Sequence, residues 1–440
     1  MNQHQHRLGF LFAVTVFAAG CASTPDHHPD PRGTLDNIET LQRFSRASIN
    51  QANAQLALSG AAQCDVKIVQ LTYRSIGVKG EPETLSAGLY VPEHCAGPFP
   101  LVAQAHGTQS EKQRLTTQVG PGNAVVAFFA ARGYLVVATD YLGLGKSDYP
   151  YHPYLHADSE ASAIIDSIRA AKAAASQLGV PVNDQVMLFG YSQGGHAAMA
   201  AQREIERHYR DEIHLVASAP MSGPYNLTQT FLGSWFGQTA GEENVFASEL
   251  FSYAVVSYRQ IYDDVCADIE RCFARPYANV VTTLFPSRYD LSEIREQNVL
   301  PPGRQLNRLR TPELTSEFLL NERQPLRQAL MRNDLLAWTP AAPMILCGSR
   351  RDAMVDFNNA YAAQASFRTR GVEVPVVDVA DKIPDEADGT EHHGYAVAPC
   401  YAAARKMLFD PIKRGDQPCN AQSCDAAEVS RVTDIERREQ

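Results

Sequence analysis

The sequence holds no apolar run long enough to carry a helix across a bilayer; Leu8 to Ala19 stops well short of the roughly 20 residues required. It also lacks any basic stretch. With 39 Lys and Arg against 49 Asp and Glu the net charge is −10, so no phosphate-binding stripe exists and nucleic acid is excluded as a partner. No cysteine–histidine spacing matches a zinc site, and there is no internal repeat. Tryptophan is scarce: the two residues, Trp235 and Trp338, fall in or beside one aromatic-rich segment. What remains is an ordinary composition, 45% hydrophobic over 440 residues, which suits one large core with a sizeable insertion better than several independent domains.

The first residues read as an address. Arg7 precedes the short apolar run, whose small-residue ending marks residues 1–20 as a secretory signal peptide. Ala18-Ala19-Gly20-Cys21 resembles the lipobox of bacterial lipoproteins, which implies cleavage before Cys21 and lipidation of that residue. The alternative is ordinary signal cleavage nearby. The lipobox implies a protein of the bacterial cell envelope, held on the membrane by its N-terminal lipid and facing the periplasm or cell surface. Residues 21–34, rich in Pro, Asp and His, read as a tether, and His4, His6, His27 and His28 as solvated. With Cys21 lipidated, eight of the nine cysteines remain, an even number suited to disulfides in an oxidising compartment. Sequence does not fix the pairing among the 105 possible ones; the pairs favoured are Cys64 with Cys95, Cys266 with Cys272, Cys419 with Cys424, and Cys347 with Cys400.

Helical spacing of apolar residues from Leu35 to Leu58 predicts one or two amphipathic helices. Val66–Ser75 and Leu85–Val91 alternate and predict an antiparallel pair at a sheet edge. Beyond them strands at Pro100–Thr108, Tyr134–Asp140, Gln185–Gly190 and Ile213–Ala219 alternate with helices at Asn123–Arg132 and Asp158–Leu178, the latter capped at Asp158 and Ser159. That alternation means parallel strands with right-handed crossovers. It breaks at Gly223 and resumes at Pro343-Met344-Ile345-Leu346, and the interval is dense in aromatics. The organisation expected is an α/β core over 35–222 and 341–412, a helical cap over 223–340 inserted after the sixth strand, and a charged tail over 413–440. A last strand is expected at Val372–Val379, a loop at Ala380–His392 and a final helix at Tyr395–Phe409.

One stretch carries chemistry. In Gly190-Tyr191-Ser192-Gln193-Gly194 a buried strand meets an alanine-rich helix at a tight turn, the Gly-x-Ser-x-Gly arrangement that exposes a strained serine hydroxyl. A serine hydroxyl needs a base held by a carboxylate, and on this topology the chain order is serine, acid, histidine. Asp352 follows the strand after the cap and is the acid of choice, ahead of Asp356 and Asp334. Glu391-His392-His393-Gly394 supplies two imidazoles; His393, next to Gly394 and the final helix, is favoured over His392 as base. The oxyanion donors expected are the backbone N–H groups of Gln193 and Thr108. His106 precedes the serine and reads as a loop-shaping residue, His196 as a packing residue. His152 and His156 lack carboxylate or cysteine neighbours and are not read as a metal site.

Those motifs, with Asp140-Tyr141-Leu142-Gly143-Leu144-Gly145, make the chain resemble an α/β-hydrolase of the secretory lipase group between Cys64 and Phe409. The resemblance implies a mostly parallel central sheet flanked by helices, a helical cap over an acyl pocket, and hydrolysis of small-molecule esters or lipids by a Ser–Asp–His triad. It implies no cofactor and no metal. A serine peptidase of the same fold and a non-catalytic lipid-binding lipoprotein are the competing readings.

Overall fold

The structure, a computed structural model, describes residues 32–237 and 243–418. The expected signal peptide, Cys21, the expected tether up to residue 31, the expected Cys419–Cys424 pair and most of the tail lie outside the described residues.

Among the described residues nine strands form one sheet: β1 (Leu35–Phe44), β2 (Asp65–Ile76), β3 (Pro82–Glu93), β4 (Phe99–Ala105), β5 (Leu135–Thr139), β6 (Val182–Tyr191), β7 (Leu215–Met221), β8 (Leu346–Gly348) and β9 (Val376–Asp378). Their order is β1-β2-β3-β5-β4-β6-β7-β8-β9. β1, β2, β3 and β5 pair antiparallel, and every pairing from β5 through β4 to β9 is parallel. Helices cover both faces, so the central strands are buried throughout. Along β6, Val186 and Leu188 enter one core with helices Ala157–Leu178 and Gln193–His208, while Met187, Phe189 and Tyr191 enter the opposite core under residues 396–409. That alternation is the period-2 side-chain rule of a strand. Burying Phe189, which stacks on Phe129 at 4.2 Å, contributes roughly 2–3 kcal/mol.

The helix expected from Leu35 is instead the edge strand β1, antiparallel to β2, followed by short helices at Arg46–Ala52 and Leu56–Ser59. Leu35, Ile38, Leu41 and Phe44 recur at intervals of three, which imitates a helix. Two register shifts, between Leu35 and Asn37 and between Thr40 and Gln42, change the strand's phase and account for the spacing. The insertion therefore follows the seventh strand, not the sixth. The long helix begins at Ala157, with His156 rather than Asp158 or Ser159 as its cap.

The segment between β7 and β8 is helical, as expected, with its own aromatic core. Phe231, Phe236, Phe251, Phe273 and Phe318 are buried together, and Phe236 stacks on Phe318 at 4.2 Å. Trp338 belongs to the main core, against Phe367. Disulfides join Cys64 to Cys95, Cys266 to Cys272 and Cys347 to Cys400, the three expected pairs within the described residues.

Two boundaries near the chain's end differ. β9 is confined to Val376–Asp378, and a short helix, Gly389–Tyr395, replaces the end of the expected loop. Asp388 accepts from the Glu391 N–H and Glu391 reaches back to the Asp388 N–H, a capping box that starts this helix. The final helix then runs as Val397–Ala403 with a wider turn over Ala404–Phe409.

Candidate active site

At the end of β6 the chain turns so sharply that a β-carbon on Gly190 would sit 2.0 Å from the Gly194 carbonyl oxygen. One on Gly194 would meet the Ala105 carbonyl oxygen at 2.0 Å. Both positions must be glycine for strand and helix to approach. Between them Ser192 takes φ 61° and ψ −125°, a left-handed conformation that costs a non-glycine residue about 1–3 kcal/mol. Ser192 is half-buried and opens the helix Gln193–His208, whose first N–H groups favour negative charge.

The loop after β4 lies against this turn. A β-carbon at Gly107 would be 3.6 Å from that of Ser192, so Thr108 is carried beside the elbow. The Thr108 hydroxyl is 2.9 Å from the Tyr154 hydroxyl. His106 bonds the Gly107 carbonyl through Nδ1 at 2.7 Å and packs on Tyr141; burial lowers its pKa. It shapes the loop.

After β8 the Asp352 carboxylate, its side chain 1% exposed, accepts from the Met354 and Val355 N–H groups at 2.9 and 3.0 Å through Oδ1. Its Oδ2 accepts from His393 Nδ1 at 2.6 Å. That bond holds the proton on Nδ1 and leaves Nε2 with the lone pair. His392 points elsewhere: it is fully buried, bonds the Ser349 hydroxyl at 2.9 Å, and burial lowers its pKa. Asp356 is exposed and caps Asn358, and Asp334 binds Thr228. Of the carboxylates and imidazoles considered, the structure brings together Asp352 and His393.

A cavity of about 20 Å³ at Ser192 and Gln193 is lined by Tyr154, Leu155, Leu227, Trp235, Leu250 and Met354, among others. A more open hollow of about 400 Å³ runs along Gln104, His106, Thr108, Arg114 and Asp140.

Sequence reasoning missed two residues and misread a third. Tyr191 donates to the His393 carbonyl at 2.7 Å and accepts from Ser222. Glu160, hidden in an alanine-rich helix, is buried against His196, which thus hydrogen-bonds a carboxyl group rather than only packing. Spacing offered one signal for it: His196 lies one turn past Ser192, on the helix the elbow opens. His152 and His156 bond protein groups, the Leu142 carbonyl and Ser159.

A nine-stranded, mostly parallel sheet with a serine at a glycine-bounded strand–helix turn defines the chain as an α/β-hydrolase. The family model for secretory lipase matches residues 108–246. Among solved structures, the rice cell wall degrading esterase LipA from Xanthomonas oryzae is 42% identical, with a TM-score of 0.81 over 86% of this chain and 99% of that one. A protein from Legionella pneumophila (23% identity, TM-score 0.73, 85% and 99% of the two chains) and Candida antarctica lipase A in its closed state (18%, 0.59, 79% and 77%) share the fold. No curated protein matches the sequence. The chain belongs to the secretory lipase family, a family of ester hydrolases.

Proposed function

We propose that the protein is a serine esterase in which Ser192 is the nucleophile, His393 the general base and acid, and Asp352 the carboxylate that orients the imidazole. The observation that carries this reading is the 2.6 Å bond between Asp352 and His393, beside a strained serine elbow. Ser192 Oγ attacks the ester carbonyl while its proton passes to His393 Nε2. The resulting oxyanion takes the backbone N–H groups of Gln193 and Thr108, a stabilisation commonly worth about 3–4 kcal/mol for each donor. The C–O bond then breaks, the alcohol leaves with the proton from His393, and water attacks the acyl-enzyme by the same relay to release the acid. No cofactor enters this scheme.

The cavity of about 20 Å³ at Ser192 supports a short acyl group, since that volume suits little more than one water-sized fragment. The alcohol half fits the more open hollow along Thr108. Likeness to a rice cell wall degrading esterase supports an ester of plant cell-wall material as the first natural substrate to test. Residues 223–340 are proposed as the cap over the acyl site, residues 1–20 as the export signal, and Cys21 as a lipidated anchor to the bacterial envelope.

The test combines a fluorophosphonate probe with p-nitrophenyl acyl esters and aminoacyl anilides. The wild-type chain should be labelled at Ser192 and should turn over the esters but not the anilides. Turnover that survives Ser192→Ala would remove the assignment, and an unlabelled serine would favour a non-catalytic lipoprotein.

A further inference from the structure

Behind the elbow lies a cluster of polar groups that the proposed reaction does not use. Glu160, near the start of helix Ala157–Leu178, and His196, on the elbow helix, meet at 2.7 Å between Oε2 and Nδ1, with both side chains 0% exposed. His196 Nε2 faces the main-chain carbonyl of Asn333 at 3.0 Å. The Asn333 carbonyl can only accept, so Nε2 carries a proton toward it, and one shared proton joins Nδ1 to Glu160 Oε2. Burying a polar pair of this kind costs desolvation, and apolar side chains of the same shape are often as stable or more so. Stability alone therefore does not explain it.

The second carboxylate oxygen accounts for it. Glu160 Oε1 accepts from the side-chain amide of Gln193 at 2.9 Å, and the same amide nitrogen lies 2.8 Å from His152 Nε2. His152 Nδ1 faces the Leu142 carbonyl at 2.8 Å, so its proton is there and Nε2 is an acceptor. Burial pushes the His152 pKa down to about 3, which keeps it neutral. The Gln193 amide thus has one orientation: turned over, its oxygen would face a carboxylate and a lone pair. Its own Oε1 has no hydrogen-bond partner, so the side chain is held through its nitrogen.

We propose that the hydrogen-bonded Glu160–His196 pair is a positioning device for Gln193: by pinning that side chain it holds the adjoining backbone N–H, and the strained Ser192 before it, aimed at the oxyanion. This rests on the triad reading above. Neither residue of the pair touches substrate. The Asn333 carbonyl and side chain, bonded to His196 and to the Ala157 N–H, extend the same network to the end of the insertion.

The experiment compares Glu160→Gln, Gln193→Leu and the double variant in the full-length protein. Rates are normalised to active sites titrated with a fluorophosphonate. Glu160→Gln should lower kcat about ten- to a hundredfold with KM within about threefold, because a misplaced donor costs the transition state and not the ground state. Affinity for a boronic acid, whose serine adduct places an oxygen at the same donors, should fall by a similar factor. In the Gln193→Leu background Glu160→Gln should add little further loss, since both changes release one constraint.

Unchanged kcat per titrated site in Glu160→Gln, with only a lower melting temperature, would overturn the proposal, as would losses that multiply in the double variant. Should Glu160→Gln not fold, Gln193→Leu, which keeps the Glu160–His196 hydrogen bond, decides alone: retained kcat and boronate affinity would refute it. A wild-type protein that neither labels nor hydrolyses esters would instead refute the triad reading.

Discussion

The Tyr191 hydroxyl donates to the main-chain carbonyl of His393 at 2.7 Å across a separation of 202 positions. The residue before the proposed nucleophile thereby ties down the backbone of the proposed base. The ring of Tyr191 also lies 5.1 Å from the imidazole of His393. Tyr191→Phe should keep the ring packing, lose about 1 kcal/mol of stability and lower kcat several-fold. Urea unfolding and steady-state kinetics on one preparation check both.

The two adjacent imidazoles should separate cleanly by mutation. His393→Ala should reduce kcat about 10⁴-fold with little change in melting temperature, since it removes the base but not the oxyanion donors. His392→Ala, which empties a buried position beside Ser349, should lower the melting temperature and keep most of the activity. Exchanged outcomes would reassign the base.

Acyl preference should respond to Trp235. It lines the small cavity at Ser192 and is 4% exposed, so Trp235→Ala should open that space. Each added methylene accommodated is worth about 1–3 kcal/mol in discrimination. A p-nitrophenyl ester series should show kcat/KM moving from acetate in the wild type toward longer chains in the variant; an unchanged profile would place the acyl group elsewhere.

Glu249, on the helix Ala247–Ile261 in the insertion, gives a pH signature. Burial raises its pKa from 4.5 to about 7, opposed in part by Arg295. Between those values the native state keeps a proton that the unfolded chain has released, so stability falls as pH rises across that window. Glu249→Gln should therefore gain melting temperature relative to the wild type as pH climbs from about 4.5 to about 7. Thermal melts of both proteins at pH 5 and pH 8 read the difference, and a constant gap would sink the assignment.

The disulfide between Cys347 and Cys400 brackets the segment holding both Asp352 and His393. It closes a loop of separation 53, for which chain entropy predicts about 4 kcal/mol, against about 2 kcal/mol for the separation of 6 between Cys266 and Cys272. The double alanine variant at 347 and 400 should lose more stability, and more activity, than the one at 266 and 272. Melting curves and rates on the two variants compare them directly.

Local preference and burial periodicity are written along the chain, and they sufficed for the strand–helix alternation, the glycines of the elbow and the aromatic insertion. They also narrowed the acid and base to a few positions. They misled at Leu35–Phe44, because bulges in an edge strand reproduce a helical spacing, and at Gly389–Tyr395, where a capping box was read as loop. Which imidazole meets Asp352, that Tyr191 holds the His393 backbone, and that Glu160 reaches both His196 and Gln193 were decided only by tertiary structure. Those contacts join residues 41, 202, 36 and 33 positions apart, so they depend on how strands register and helices pack, which no local window of sequence contains.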